Sequence, residues 1–65
     1  MGKFKLYDVV RVIKDKDFIC PVERVKKGAE GTIVEICEDE GTIGYIVEIG
    51  NEVYDFLEDE IEAIG

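Results

Sequence analysis

Apolar and polar residues alternate with a period of two in several short runs, and glycine-bearing bends separate them. Residues 6–13 read Leu-Tyr-Asp-Val-Val-Arg-Val-Ile. β-Branched residues dominate the second half of this run, which favours a strand over a helix. Alternation puts Val10 and Val12 on one face and Val9, Arg11 and Ile13 on the other. Apolar residues on both faces predict cover on both sides near the ends. Residues 31–37 form a second run, with Val34 and Ile36 inward and Glu35 outward. In a third, residues 43–49, Tyr45, Val47 and Ile49 share one face and Ile46 and Glu48 the other. Residues 52–57 make a fourth strand, and residues 61–64 a short last one that closes against the first.

The bends have recognisable chemistry. Gly28 and Gly31, in Lys27-Gly28-Ala29-Glu30-Gly31, are read as a turn that needs positive φ, where glycine is at ease. Glu38-Asp39-Glu40-Gly41 is a hairpin turn, and Gly50-Asn51 a two-residue one. Glu58-Asp59-Glu60 reads as a 3-10 turn whose acids suit its positive end. Residues 15–26 are the longest irregular piece. Pro21 holds Cys20 extended and cannot donate to a ladder. Phe18, Ile19, Val22 and Val25 are expected to tuck back over a barrel end. A connector of this length in a small domain is a place where binding can reside, with a packed plug as the plainer account.

These elements predict an all-β chain. The expectation is a small five-stranded barrel with a long loop after strand 1 and a 3-10 turn before the last strand. Its expected core is Val10, Val12, Val34, Ile36, Tyr45, Val47, Ile49, Phe56 and Ile61. Sixty-five residues make one domain with a small core, so 1–65 is read as a single unit. Apolar residues make up 46% of the chain, enough for a globule rather than a disordered tail.

Charge changes the picture. The net charge is -8, and all eight bases lie within the first 27 residues. That segment holds four acids and carries +4, while the remaining 38 residues hold twelve acids and no base. One account is that folding interleaves the two halves and pairs opposite charges across strands. The other is an acidic face that docks a basic partner. Glu38, Asp39, Glu40, Asp55, Glu58, Asp59 and Glu60 are the candidates for that face.

The chemistry of catalysis is thin. Histidine and serine are both absent. Cys20 would need a depressed pKa to act as a nucleophile, and no imidazole is there to supply it. A small buried thiol is the plainer reading for Cys20, and packing for Cys37. Glu38-Asp39-Glu40 lacks the spaced ligands of a calcium loop, and two cysteines without histidine fall short of a zinc set. No catalytic residue, cofactor or metal is therefore expected. No apolar run is long enough for a signal peptide or membrane span, and two cysteines make no disulfide framework, so the expectation is a cytoplasmic protein.

The run Tyr7-Asp8-Val9-Val10-Arg11-Val12, then Lys27-Gly28-Ala29-Glu30-Gly31-Thr32-Ile33-Val34-Glu35-Ile36, then Tyr45-Ile46-Val47-Glu48-Ile49 and an acidic turn into Ile61, resembles an SH3-like barrel. It is most similar to a family of short bacterial domains of unknown function. More distantly it resembles the nucleic-acid-binding KOW module, through Lys27, Gly28, Gly31 and Ile33. It also resembles electron-transport accessory subunits with SH3-like folds, through Gly31-Thr32-Ile33 and Glu58-Asp59-Glu60. The resemblance implies the barrel and brings no catalytic residues; Gly28, Gly31 and Gly50 are read as structural turns from the bends themselves.

The leading expectation is a non-catalytic protein-binding module whose partner has a basic surface, with an immunity or antitoxin role as a special case. The alternatives are a KOW-like RNA- or ribosome-associated module and an accessory subunit of a redox complex. An isoelectric point near 4.3 argues against nucleic acid. Exposed Val53, Tyr54 and Phe56 on the fourth strand would allow a weak dimer, and a monomer is the alternative.

Overall fold

A computed structural model describes residues 3–19 and 22–64 of the chain. The described residues form seven strands and one 3-10 turn. In chain order these are β1 (Val9–Val12), β2 (Lys16–Ile19), β3 (Val22–Val25), β4 (Glu30–Asp39), β5 (Thr42–Ile49), β6 (Glu52–Leu57), the 3-10 turn Glu58–Glu60 and β7 (Ile61–Ala63). Five strands make one antiparallel sheet in the order β6-β5-β4-β1-β7, and β2 and β3 pair separately. β6 and β7 lie at opposite edges and do not pair, so the sheet is not closed. The last strand does pair with the first, Val12 lying opposite Ile61.

The two hairpins of the β4-β5-β6 meander follow from their turns. Glu40 and Gly41 both have positive φ, 51° and 81°, between the paired residues Asp39 and Thr42. That is the type I′ pattern, whose twist matches the flanking strands. Between Ile49 and Glu52, Gly50 has φ 65°. Gly28 has φ 101° in the bend before β4. Gly31 differs from the turn residue expected: it lies within β4, opposite Val10, and is absent from the positive-φ residues. An ideal Cβ there would sit 2.3 Å from the Glu48 carbonyl oxygen and 2.7 Å from Ile49 Cγ1. The glycine is required by close approach of strands.

Several further expectations are corrected. Residues 15–26 are not an irregular loop: β2 and β3 pair through them, with Asp17 opposite Arg24 and Phe18 opposite Glu23. Phe18 packs tilted against Tyr54 and edge-to-face against Phe56, with ring centroids 5.0 and 5.5 Å away, and Val25 is buried. Ile19, expected to tuck in, is exposed. The readings on Cys20, Pro21 and the Val22 side chain fall outside the described residues.

β1 begins at Val9, not at Leu6. The Asp8 carboxylate accepts the Lys5 N–H at 2.9 Å and Tyr7 has φ 71°, so this stretch turns before it extends. Val9 is exposed and Val10 and Val12 are buried, so the expected alternation holds and cover on both faces does not.

The core is Phe4, Val10, Val12, Val25, Ile33, Tyr45, Val47, Tyr54, Phe56 and Ile61. The expectation that Val34 faces inward is wrong: Ile33 is 0% exposed and Val34 37%. Pairing passes from Ile33–Val47 to Glu35–Ile46, so Val34 is an extra residue at a bulge. Ile36, opposite Tyr45, remains partly exposed, and Ile49 is half-buried against the core. Tyr54 and Phe56 are buried rather than exposed, leaving Val53 as the open apolar residue in the middle of β6.

Candidate functional site

Directly opposed residues of antiparallel strands share a face. Cross-strand register therefore sorts the meander. One face carries Ile36, Tyr45 and Phe56 in one row and Ile33, Val47 and Tyr54 in the next, and this is the core side. The other face carries Cys37, Gly44 and Leu57 in one row, Glu35, Ile46 and Asp55 in the next, and Thr32, Glu48 and Val53 beyond. Gly44 contributes no side chain, and a shallow notch of about 370 Å³ lies around it. Cys37 and Asp39 wall it from β4 and its hairpin, Asp55 and Leu57 from β6. A second depression of about 320 Å³ lies beyond Thr42 and Leu57, next to Glu58 and Asp59.

The candidate acids divide. Asp39, Glu40 and Asp55 come together around the notch. Glu38 lies opposite Ile43, on the other face from Asp39. The three acids of the 3-10 turn are engaged within the chain. Glu58 accepts the Tyr45 hydroxyl at 3.0 Å and the Lys3 N–H at 2.9 Å. Asp59 pairs with Lys14 at 3.5 Å, and Glu60 with Lys16 at 2.8 Å. Their short spacing in sequence promised one surface, but each is aimed at a different anchor.

Ion pairing also decides between the two accounts of the charge. Arg11 bridges Glu30 and Glu62, and Lys14 and Lys16 reach the 3-10 turn. Arg24 pairs with Asp17, whose hydrogen bond to the guanidinium holds its carboxyl below the usual range. The first segment's cations thus do interleave with later acids. They leave out the meander. Of the eight acids from Glu30 to Asp55, Glu30 alone has a cation within 4 Å among the described residues.

Gly44 and Leu57 were not singled out from the sequence, although a glycine inside a strand signals close backbone approach or open space. Cys37, read as packing, is an exposed free thiol on the notch wall. Gly28 and Gly50 lie in bends away from the notch, and Gly31 is inside the sheet. Among the described residues no group of three or more His, Cys, Asp or Glu side chains is placed to hold a metal, and no helix is long and apolar enough to cross a membrane. No family model, curated protein or solved structure significantly matches the chain.

Proposed function

We propose that the protein is a non-catalytic binding module that docks a protein with a basic surface onto the outer face of its β4-β5-β6 meander. The observation that carries this reading is the uncompensated charge of that face. Glu35, Asp39, Glu48 and Asp55 share it with exposed Val53 and Leu57, and among the described residues none of the four has a cation within 4 Å. Such a face steers a cationic partner and offers apolar area once it arrives. Capping of a basic nuclease, as an immunity protein or antitoxin does, is one role of this kind, in the cytoplasm.

The strand order β6-β5-β4-β1-β7, with a 3-10 turn before the last strand, supports an SH3-like architecture for the module. Binding through RNA phosphates is the weaker alternative, because Arg11, Lys14, Lys16 and Arg24 are already neutralised by carboxylates. The accessory-subunit alternative differs only in its partner, which would hold a redox cofactor.

The test is capture from the native host at low salt, run beside a variant carrying Asp39→Asn, Glu40→Gln and Asp55→Asn. A specific basic protein retained by the parent and lost by the variant is the expected result. Retention by both removes the meander as the docking face. Capture of RNA that dissociates steeply with salt would favour the alternative.

A further inference from the structure

We propose that the Gly44 notch seats an apolar side chain of the basic partner, with flanking lysines or arginines reaching Asp39 and Asp55. This rests on the docking reading above and specifies its mode. In the row Cys37–Gly44–Leu57, the middle position has no side chain of its own and both flanks are exposed, and the Asp55 carboxylate leans over it, 3.0 Å from where a Cβ would sit. The notch therefore has an apolar wall at Leu57 and a floor at Gly44 covered only by the flexible Asp55 carboxylate, which a cation on the rim draws aside, while its rim also carries Asp39 and Glu40. An apolar residue between two cations is complementary to that arrangement, covering Leu57 while its neighbours neutralise the rim.

Two other occupants fit less well. A strand added to the edge of β6 is opposed where the notch lies. The closing pair of a two-residue hairpin is hydrogen-bonded, which turns the backbone of Val53, Asp55 and Leu57 away from β5. Lys16 Nζ occupies the Asp55 carbonyl oxygen at 2.8 Å, and Glu60 takes the Leu57 N–H at 2.8 Å. An incoming segment must lie on the face instead. A second copy of the chain brings a net charge of -8 and a meander without bases.

The experiment titrates isotope-labelled protein with an amidated peptide of repeated Lys-Leu-Lys steps at low salt, following backbone amide shifts. Controls replace every Leu by Ser, or every Lys by Glu. The expected shifts centre on Cys37, Gly44, Asp55 and Leu57, the Ser peptide binding about 10-fold more weakly and the Glu peptide not at all. Gly44→Ala should weaken the Lys-Leu-Lys peptide by a similar factor. Its Cβ would meet the flexible Asp55 carboxylate at 3.0 Å and no backbone within that distance, so melting temperature should hold. Asp55→Asn should flatten the salt dependence.

Equal binding of the Leu and Ser peptides overturns the notch and leaves acidic docking standing. Shifts centred away from the notch also overturn it. No shift with any peptide overturns both readings. Concentration-dependent self-association by sedimentation, lost in Gly44→Ala, overturns the choice of a foreign partner.

Discussion

Lys16 Nζ lies 2.8 Å from Glu60 Oε1, and this pair seals the edge of β6. The ammonium also donates to the Asp55 carbonyl oxygen and lies 5.3 Å and 5.4 Å from the centroids of the Phe18 and Phe56 rings. The carboxylate takes the Leu57 N–H as well. One ion pair thus ties β2 to the 3-10 turn and satisfies edge groups that would otherwise invite another strand. Both side chains are mostly shielded, 26% and 18% exposed, so removing one partner leaves the other charge poorly solvated.

Lys16→Met should therefore destabilise the fold by about 2–3 kcal/mol in urea unfolding, since it strands the Glu60 carboxylate and the Asp55 carbonyl. Glu60→Gln keeps an acceptor for Leu57 and should cost about 1 kcal/mol. A double-mutant cycle should return a coupling of about 1 kcal/mol, and a coupling near zero would remove the pair from the account. Lys16→Met should also raise self-association in sedimentation, through the opened β6 edge.

Gly31→Ala should be more damaging than Gly28→Ala. The first drives a methyl into the Glu48 carbonyl oxygen at 2.3 Å, which only a backbone shift can relieve. A cost of about 3 kcal/mol or loss of folding is expected. At Gly28 the space is open and only its φ of 101° penalises a side chain, for a cost of about 1–2 kcal/mol. Thermal melts of the two variants settle the order.

Neighbouring residues on β4 should respond in opposite ways. Ile33→Ala empties a fully buried site between Val47 and its neighbours and should cost about 2–4 kcal/mol. Val34→Ala trims a half-solvated bulge residue and should stay within about 0.5 kcal/mol. Equal costs for the two would contradict the bulge.

Tyr54 should make stability fall at alkaline pH. Burial of the phenol raises its pKa, and the hydrogen bond it donates to Glu23 at 2.9 Å raises it further. A raised folded pKa means full stabilisation below the unfolded value of about 10, lost as pH climbs through the folded one. Phenolate absorbance compared between parent and Tyr54→Phe should isolate the late titration, and Glu23→Gln should bring it earlier. Asp17 works in the opposite sense. Its lowered carboxyl stabilises β2 and β3 above about pH 4 and loses that contribution as pH falls through the folded value. Asp17→Asn should abolish this acid limb.

Local pattern was a good guide wherever one residue's neighbours sufficed. The strands around Val10, Tyr45 and Phe56, the Gly50 bend and the 3-10 turn all follow from alternation and turn chemistry, and each is present. The facing of β4 was not legible. Strict alternation puts Val34 and Ile36 inward and Ile33 outward, but β4 carries an extra residue between Ile33 and Glu35, so Ile33 and Ile36 share the core side and Val34 does not. The β2–β3 pairing was missed because Pro21 was read as ending regular structure, although Asp17 and Arg24 stood at positions that pair charges across strands. The candidate surface was half legible. Acidity marked the right turns, but not which carboxylates would be spent inside the molecule.

The sequence alone determined that this chain is β-structured, bent at glycine-bearing turns, and divided into a basic start and an acidic remainder. These properties, with the bend at Gly50-Asn51 among them, are local or additive, so no partner strand is needed to know them. Only the tertiary structure decided that Glu58, Asp59 and Glu60 anchor Tyr45, Lys14 and Lys16, while Asp39 and Asp55 beside Gly44 have no ion-pair partner among the described residues. The reason is reach: an ammonium or hydroxyl engages whichever carboxylate register and bulge bring within about 3–3.5 Å, and register is set by strands far apart in the chain.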